Sequence, residues 1–313
     1  MKYEHALVTG GAGFIGSHIS ELLLKKGMRV TILDNLSVGK KENIPQEAAF
    51  VQGDINDLSL VEKLTKTCDI VFHQAARVSI RSSLDKCYDD AQTNLMGTLN
   101  ILRACENSRI KKFVFASSMA VYADSHTPTA IDETYTQEPI SPYGISKLAA
   151  EKYVHLLCGK NGIDSVVLRY FNTFGPRQTF TPYVGVITIF ITKLLKGESP
   201  VVFGDGEQLR DFVYVGDIAR ANILAMESPA AQVTVNIGTG IAMNVNQIAS
   251  LLISRINPDI PCLRGDEQMG ELKISFPDIR LAKKMIGYVP EFRLEDKIDE
   301  VIDYIRHTQL KKI

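Results

Sequence analysis

The chain has 313 residues, a net charge of −1, 45% apolar residues and 23% charged residues. That length can bury a large core with a smaller unit beside it, and the composition is ordinary for a globular protein. The balanced charge gives no basis for capture of nucleic acid or a membrane surface, and no window approaches the ~18 uninterrupted apolar residues of a membrane span.

In chain order, an apolar run at 6–9 meets the glycines of ALVTGGAGFIG, and an amphipathic stretch continues to residue 26. This reads as strand, tight turn and helix start. Gly11, Gly13 and Gly16 have the G-x-G-x-x-G spacing, and Gly10, Gly13 and Gly16 the looser G-x-x-G-x-x-G spacing. Such glycines serve a tight turn, close approach of backbone to a pyrophosphate, and close packing of helix on strand. The helix N-terminus adds free N–H groups and partial positive charge. The next apolar run, 29–33, ends at Asp34, where a carboxylate can take the adenosine ribose hydroxyls. Asp34 favours NAD over NADP, because it repels a 2′-phosphate, and Arg29 precedes the strand. Further apolar runs at 48–52, 70–73, 112–116 and 165–170 alternate with helical patterns at 16–26, 58–67, 88–106 and 142–158. Strands alternating with helices predict an α/β fold, a Rossmann-type doubly wound parallel sheet with a ligand crevice along one edge. After residue 176 the rhythm changes, with helices expected at 186–196 and 245–255 and apolar runs at 212–215 and 233–237. The expected division is a dinucleotide-binding domain over 1–173 and a smaller mixed α/β, mainly substrate-binding domain over 174–313, with 211–240 returning to the first.

The five cysteines, Cys68, Cys87, Cys105, Cys158 and Cys262, show no paired spacing and form no metal-ligand pattern with the six histidines. No metal is expected. Free thiols suit a reducing cytoplasm, the expected location, and the N-terminus lacks the apolar core of a signal peptide.

Tyr143 and Lys147 form a Tyr-x-x-x-Lys pair, and on a helix such residues share a face. Pro142 marks the helix start, and Ser117-Ser118 ends the run before it. A free phenol has a pKa near ~10, so using its phenolate at pH 7 costs about 4 kcal/mol. One positive charge at ~4 Å returns about the same at an effective dielectric of ~20. Lys147, helped by a nicotinamide cation, is therefore expected to make Tyr143 a general base toward a sugar hydroxyl, with Ser118 holding that oxygen as charge shifts.

With these residues in view, the sequence resembles the extended short-chain dehydrogenases/reductases, and among them the NAD-dependent nucleotide-sugar 4-epimerases of the UDP-glucose and UDP-N-acetylglucosamine type. The segments that carry the resemblance run almost end to end: TGGAGFIGSH at 9–18, LDNLSVGK at 33–40, HQAA at 73–76, FASSMAVYA at 115–123, SPYGISK at 141–147, LRYFNTFGPRQ at 168–178 and FGDGEQLRDFVYVGDIARAN at 203–222. The resemblance implies catalysis by Ser118, Tyr143 and Lys147. It implies a cofactor site of Gly10, Gly13, Phe14, Ile15, Gly16, Asp34, Asn35, Asp54, Ile55, Ala75, Ala76, Asn94, Ser117 and Phe171 together with Tyr143 and Lys147. It implies a nucleotide-sugar site of Val78, Ser118, Asn172, Val186, Phe190, Arg210 and Ser275. Arg210 also reads as half of a surface ion pair with Asp211, and Val186 and Phe190 as plain helix core. Dehydratases and decarboxylases of this superfamily keep an acid before the Val-Tyr that follows the catalytic serine or threonine; here Met119 and Ala120 stand there. Ala123, Val184 and Thr188 depart from the family pattern, and Gln268 stands where an arginine is expected, with Arg264 as a substitute. Ser275 falls at the position that resembles the gate beside the sugar C2 group, where a small residue admits an N-acetyl substituent.

The resulting expectation is reversible C4 inversion of a nucleotide-linked hexose. The rival readings are a nucleotide-sugar dehydratase or reductase, which would yield a deoxy-keto sugar or consume free cofactor, and a non-catalytic NAD-binding sensor, for which an activated phenol has no use. The resemblance also implies a homodimer through the stretches at 98–104 and 148–157.

Overall fold

The computed structural model describes residues 2–78, 80–125, 127–179, 185–267 and 273–308. The strands His5–Thr9 (β1), Arg29–Asp34 (β2), Ala49–Gln52 (β3), Ile70–His73 (β4), Lys112–Ser118 (β5) and Asp164–Tyr170 (β6) coincide with the six apolar runs to within a residue or two. Parallel strands are covered on both faces, so they read as continuous apolar stretches. The helices over the same half are Phe14–Lys25 (α1), Leu58–Thr65 (α2), Ile80–Asp85 (α3), Cys87–Ala91 (α4), Gly97–Glu106 (α5) and Pro142–Lys160 (α6). Local chemistry starts them: Asp57 accepts from Leu60 N at 3.0 Å at the head of α2, and Ser141 accepts from Gly144 N at 3.1 Å with Pro142 in the first turn of α6.

The remaining elements are Asn172–Phe174 (β7), Val186–Leu195 (α7), Val201–Phe203 (β8), Leu209–Arg210 (β9), Phe212–Tyr214 (β10), Val215–Glu227 (α8), Val233–Ile237 (β11), Met243–Asn244 (β12), Val245–Ile256 (α9), Leu263–Gly265 (β13), Ile274–Ser275 (β14), Arg280–Ile286 (α10) and Leu294–Thr308 (α11). One seven-stranded sheet runs β11-β6-β5-β4-β1-β2-β3, every neighbour parallel. Successive strands step one way from β1 to β3 and the other way from β4 to β6. The order therefore reverses between β1 and β4, which opens a crevice beyond their C-terminal ends. Alternate residues of the strands feed two cores. Val8, Ile32, Phe72 and Val114 pack with Ile19 and Leu23 of α1 and Ile218 of α8. Leu7, Leu33, Val71 and Phe113 pack with Val61 of α2, Ile101 of α5 and Val154 of α6. A third core joins Phe174 and Phe212 to α7, α9 and α11. After α7, β11 rejoins the main sheet beside β6, and α8 packs against α1. Among the described residues, no helix is long and apolar enough to cross a membrane.

The helix expected over 88–106 is interrupted. Between α4 and α5 lies a π turn at Gln92–Met96. The extra residue in that turn lets the Asn94 side chain reach the loop after β4, where it accepts from Arg77 N at 2.8 Å and donates to Arg77 O at 2.9 Å.

One buried ion pair fastens α6 to β6. Arg169 Nε and Nη2 donate to the two Glu151 carboxylate oxygens at 2.9 and 2.6 Å, with side chains only 3% and 2% exposed. Arg169→Met leaves Glu151 buried without its partner, at a cost of about 3–5 kcal/mol. The thermal unfolding midpoint is expected to fall by on the order of 10 °C. Adding Glu151→Met should recover most of the loss, as measured by calorimetry.

Candidate active site

The glycine turn lies at the mouth of the β1/β4 crevice. Gly10 has φ +70°, and a Cβ there would lie 2.7 Å from Ala75 N. A Cβ on Gly16 would strike the Gly10 carbonyl oxygen. Glycine is thus required for the turn and for the approach of α1 to it. Gly13 caps α1 without a side-chain acceptor, so Phe14, Ile15 and Gly16 present first-turn N–H groups toward the crevice. Asp34, at the end of β2, accepts from Ala12 N at 3.0 Å and Leu36 N at 2.8 Å, which ties the turn to the next loop. Asn35 donates to Asp54 at 2.8 Å on the same rim, and Ile55 is buried against Gly97. Ala75 and Ala76 follow β4 directly, with Ala75 N donating to Thr9 Oγ1 at 3.3 Å. A glycine cradle closed to side chains, an uncapped helix N-terminus and an acid at the end of the second strand fit a dinucleotide.

The far wall carries the chemistry. Ser117 and Ser118 end β5, and Tyr143 and Lys147 stand one turn apart on α6. Tyr143 and Ser118 line the cleft side by side, with the Ser118 hydroxyl near enough to the phenol to pull its pKa down. Lys147, 2% exposed, donates to Ala116 O at 2.8 Å and sits 4.9 Å above the Phe115 ring. Burial pushes the Lys147 ammonium down to about 8, against the pull of Asp90 and Glu151. Burial pushes the Tyr143 phenol up to about 12; the Ser118 hydroxyl opposes this and the Asp90 charge adds to it. The sequence alone suggests a phenol made acidic by its lysine, but the folded chain by itself leaves the phenol hard to ionise. A cation bound alongside would lower its pKa. Ser117 donates to Glu151 at 2.5 Å, and so belongs to the ion pair beneath the site. Phe171 is buried against Val121 and Tyr122.

A cleft of about 430 Å³ opens beside Tyr143 and Ser118. Of the residues expected at a substrate, Val78, Asn172, Val186, Phe190 and Arg210 line it. Val186 and Phe190 also pack in the third core, so the structure joins their two readings. Arg210 donates to Leu209 O and Lys273 O at 2.9 and 3.3 Å. Asp211 is fully buried and takes bonds from Thr239 and Ile241, so it belongs to a loop cap and not to the surface. Ser275 does not line the cleft: it is fully buried, its hydroxyl 3.2 Å from the Met119 sulfur, and Met119 forms the wall. Arg264 donates to Asp205 O at 2.9 Å, away from the cleft lining. Gln268 and Val184 lie outside the described residues. All five cysteines are free thiols.

Sequence reasoning passed over Met119 as a wall, and Gln208, which lines the cleft with a buried amide oxygen that has no partner among the described residues. It also passed over Glu151 and Asp90. Their signal was present in the i, i+4 spacing of Lys147 and Glu151 and of Asp90 and Asn94, but polar residues on a helix read as solvated until the packing is known.

A dinucleotide crevice faced by Ser118, Tyr143 and Lys147 is an arrangement that can serve hydride and proton transfer at an alcohol carbon. The chain matches the profile of the NAD dependent epimerase/dehydratase family over residues 6–238, and it belongs to that family. Its cofactor is NAD. It is 42% identical over 304 residues to a putative UDP-glucose 4-epimerase of Methanocaldococcus jannaschii, which covers 96% of this chain and 98% of that one. Two solved structures are similar with a TM-score of 0.93. One is the UDP-glucose 4-epimerase of Thermotoga maritima with UDP-glucose, 39% identical, covering 97% of this chain and 99% of that one. The other is the UDP-N-acetylglucosamine 4-epimerase of Methanobrevibacter ruminantium M1 in complex with UDP-N-acetylmuramic acid, 38% identical, with both chains covered completely.

Gly16→Val forces a branched side chain into the Gly10 carbonyl. The purified variant is expected to retain at least tenfold less NAD than the parent, as read from the cofactor released on denaturation.

Proposed function

We propose that this enzyme inverts C4 of a UDP-linked hexose, interconverting UDP-glucose and UDP-galactose and their N-acetylamino counterparts. The observation that carries the reading is Tyr143 and Ser118 side by side on the cleft wall, with Lys147 one turn along the helix from Tyr143 and no carboxylate at 119 or 120. Tyr143 takes the 4-hydroxyl proton while Ser118 holds that oxygen. Lys147 orients the site and supplies positive charge. The chemistry NAD supplies when bound is acceptance of the C4 hydride and its return. The flat keto sugar then turns within the cleft, and Tyr143 gives the proton back with the opposite face presented. Water elimination needs a proton carrier beside the sugar, and Met119 and Ala120 cannot serve.

In this reading Asn172 and Arg210 hold the diphosphate, and Val186 and Phe190 flank the base. Ser275 governs the C2 pocket through Met119: a larger residue at 275 drives Met119 toward the sugar. The test is a panel of UDP-hexoses and UDP-N-acetylhexosamines, with separation of the C4 epimers. Wild type should interconvert both classes without free NADH appearing. Tyr143→Phe should lose turnover by at least three orders of magnitude while retaining NAD. Ser275→Tyr should depress N-acetylhexosamine turnover at least tenfold more than hexose turnover; equal losses remove the gate.

The reading includes a second copy of the chain as partner. Ile101 and Leu102 of α5, within the stretch expected at such an interface, are buried inside the subunit. On α6, Ile145, Tyr153 and Leu156 are exposed and share one face. A homodimer closed over that face should sediment as twice the subunit mass, and Leu156→Glu should shift it to monomer.

A further inference from the structure

Lys147 is buried, and two carboxylates act on it from within the fold, Asp90 and Glu151. They are not equivalent. The Glu151 charge is already met by the two-pronged bond from Arg169. Asp90 is 2% exposed, and its two oxygens accept from neutral groups, Ser146 Oγ at 2.7 Å and Asn94 Nδ2 at 2.9 Å. A carboxylate buried among neutral donors needs a cation to stay ionised. Ser146 is the residue next to Lys147 on α6, so its bond draws Asp90 to the helix that carries both Lys147 and Tyr143. Asn94 is the π-turn residue that also clamps the backbone of Arg77 on the cofactor-side loop.

We propose that Asp90 is the counter-ion of Lys147 and a positioning residue for the acid–base pair: it keeps the ammonium charged and sets the pH window in which Tyr143 can serve as base. The proposal rests on the acid–base roles assigned to Tyr143 and Lys147 above. Helix α3, which packs against α4 and α6, carries Arg81 and Asp85, and neither is among the groups that shift Asp90 or Lys147 most. From α6, Lys147 and Tyr143 both feel the Asp90 charge, which raises the pKa of each. From the loop after β4, Arg77 acts on Asp90 but is partly exposed and paired with Asp89 at 3.6 Å. From β4, His73 is fully buried, and burial followed by the Lys147 charge pushes it down to about 3, so it is neutral. Burial pushes Asp90 itself above the usual carboxylate range, with Ser146, Lys147, Arg77 and Asn94 pulling the other way.

The sign follows from charge. Asp90→Asn removes a negative charge beside an ammonium and beside a phenol, so both pKa values fall. In the pH profile of kcat/KM, the two limbs report the phenol, which must be deprotonated, and the ammonium, which must stay protonated. Both limbs should move to lower pH, and kcat/KM at a fixed alkaline pH should fall about tenfold if the descending limb moves by about one pH unit. A merely structural role lowers the curve equally at every pH and leaves both limbs in place, and that result overturns the proposal. Ser146→Ala, which removes a neutral bond and keeps the charge, should leave the limbs where they are.

The second measurement does not touch Asp90 and needs no substrate. In NAD-loaded protein with carbon-13 labelled aspartate, the Asp90 carboxyl should titrate at higher pH in Lys147→Met than in wild type, because the coupling is reciprocal. An unchanged midpoint refutes the pairing even if Asp90→Asn does not fold. If the nucleotide-sugar panel shows no turnover, this titration still decides whether Asp90 and Lys147 are paired.

Discussion

The interior at the edge of the parallel sheet holds a lysine ammonium that water does not reach. Burying such a charge is costly unless acceptors and counter-charges are already in place. The chain supplies the Ala116 carbonyl near the end of β5, the Phe115 ring face, and two buried carboxylates, Asp90 and Glu151, whose charges raise the pKa of the ammonium. Each of these is held in turn. Glu151 is clamped by Arg169 from the neighbouring strand, and Arg169 Nη1 donates to the Tyr122 hydroxyl at 2.8 Å. Asp90 is held by α6 on one side and the π turn on the other. Lys147 thereby joins α6 to strand β5, and the neighbouring Ser146 joins it to α4 through Asp90.

The wall that carries Lys147 faces the glycine turn across the crevice, and the two are joined behind by a chain of buried hydrogen bonds. His73 pairs with Thr9 Oγ1 at 2.6 Å and Thr98 Oγ1 at 2.9 Å, and Thr98 donates to the Asn94 carbonyl at 2.7 Å. A neutral imidazole suits this position, since it bridges two hydroxyls without adding charge near Lys147. The distance between the cofactor side and the catalytic side is therefore set by packed, satisfied groups. Precision of this kind is what hydride and proton transfer to one carbon require.

Much of the fold was readable in the chain. Parallel strands are wrapped on both faces, so each appears as an unbroken apolar run, and the glycines between β1 and α1 announce the crevice by their spacing. The helix Leu294–Thr308 went unnoticed although Leu294, Ile298, Val301, Ile302 and Ile305 carry a helical period. The two-residue strands β9, β12 and β14 had no signal, because their pairing depends on distant partners and not on local pattern. The π turn was equally silent, since its extra residue is stabilised by Asn94 reaching a loop that lies elsewhere in sequence.

By itself, the sequence determined the kind of sheet and the position of the dinucleotide turn, and singled out Ser118, Tyr143 and Lys147 as candidates, because these rest on local spacing and on residue chemistry. Tertiary structure alone decided the burial of Tyr143 and Lys147, the withdrawal of Ser275 behind Met119, and the bond that draws Asp90 to Ser146 beside Lys147. The reason is physical: a charge is governed by what surrounds it in three dimensions, and burial and neighbours are properties of the packed molecule that no stretch of residues contains.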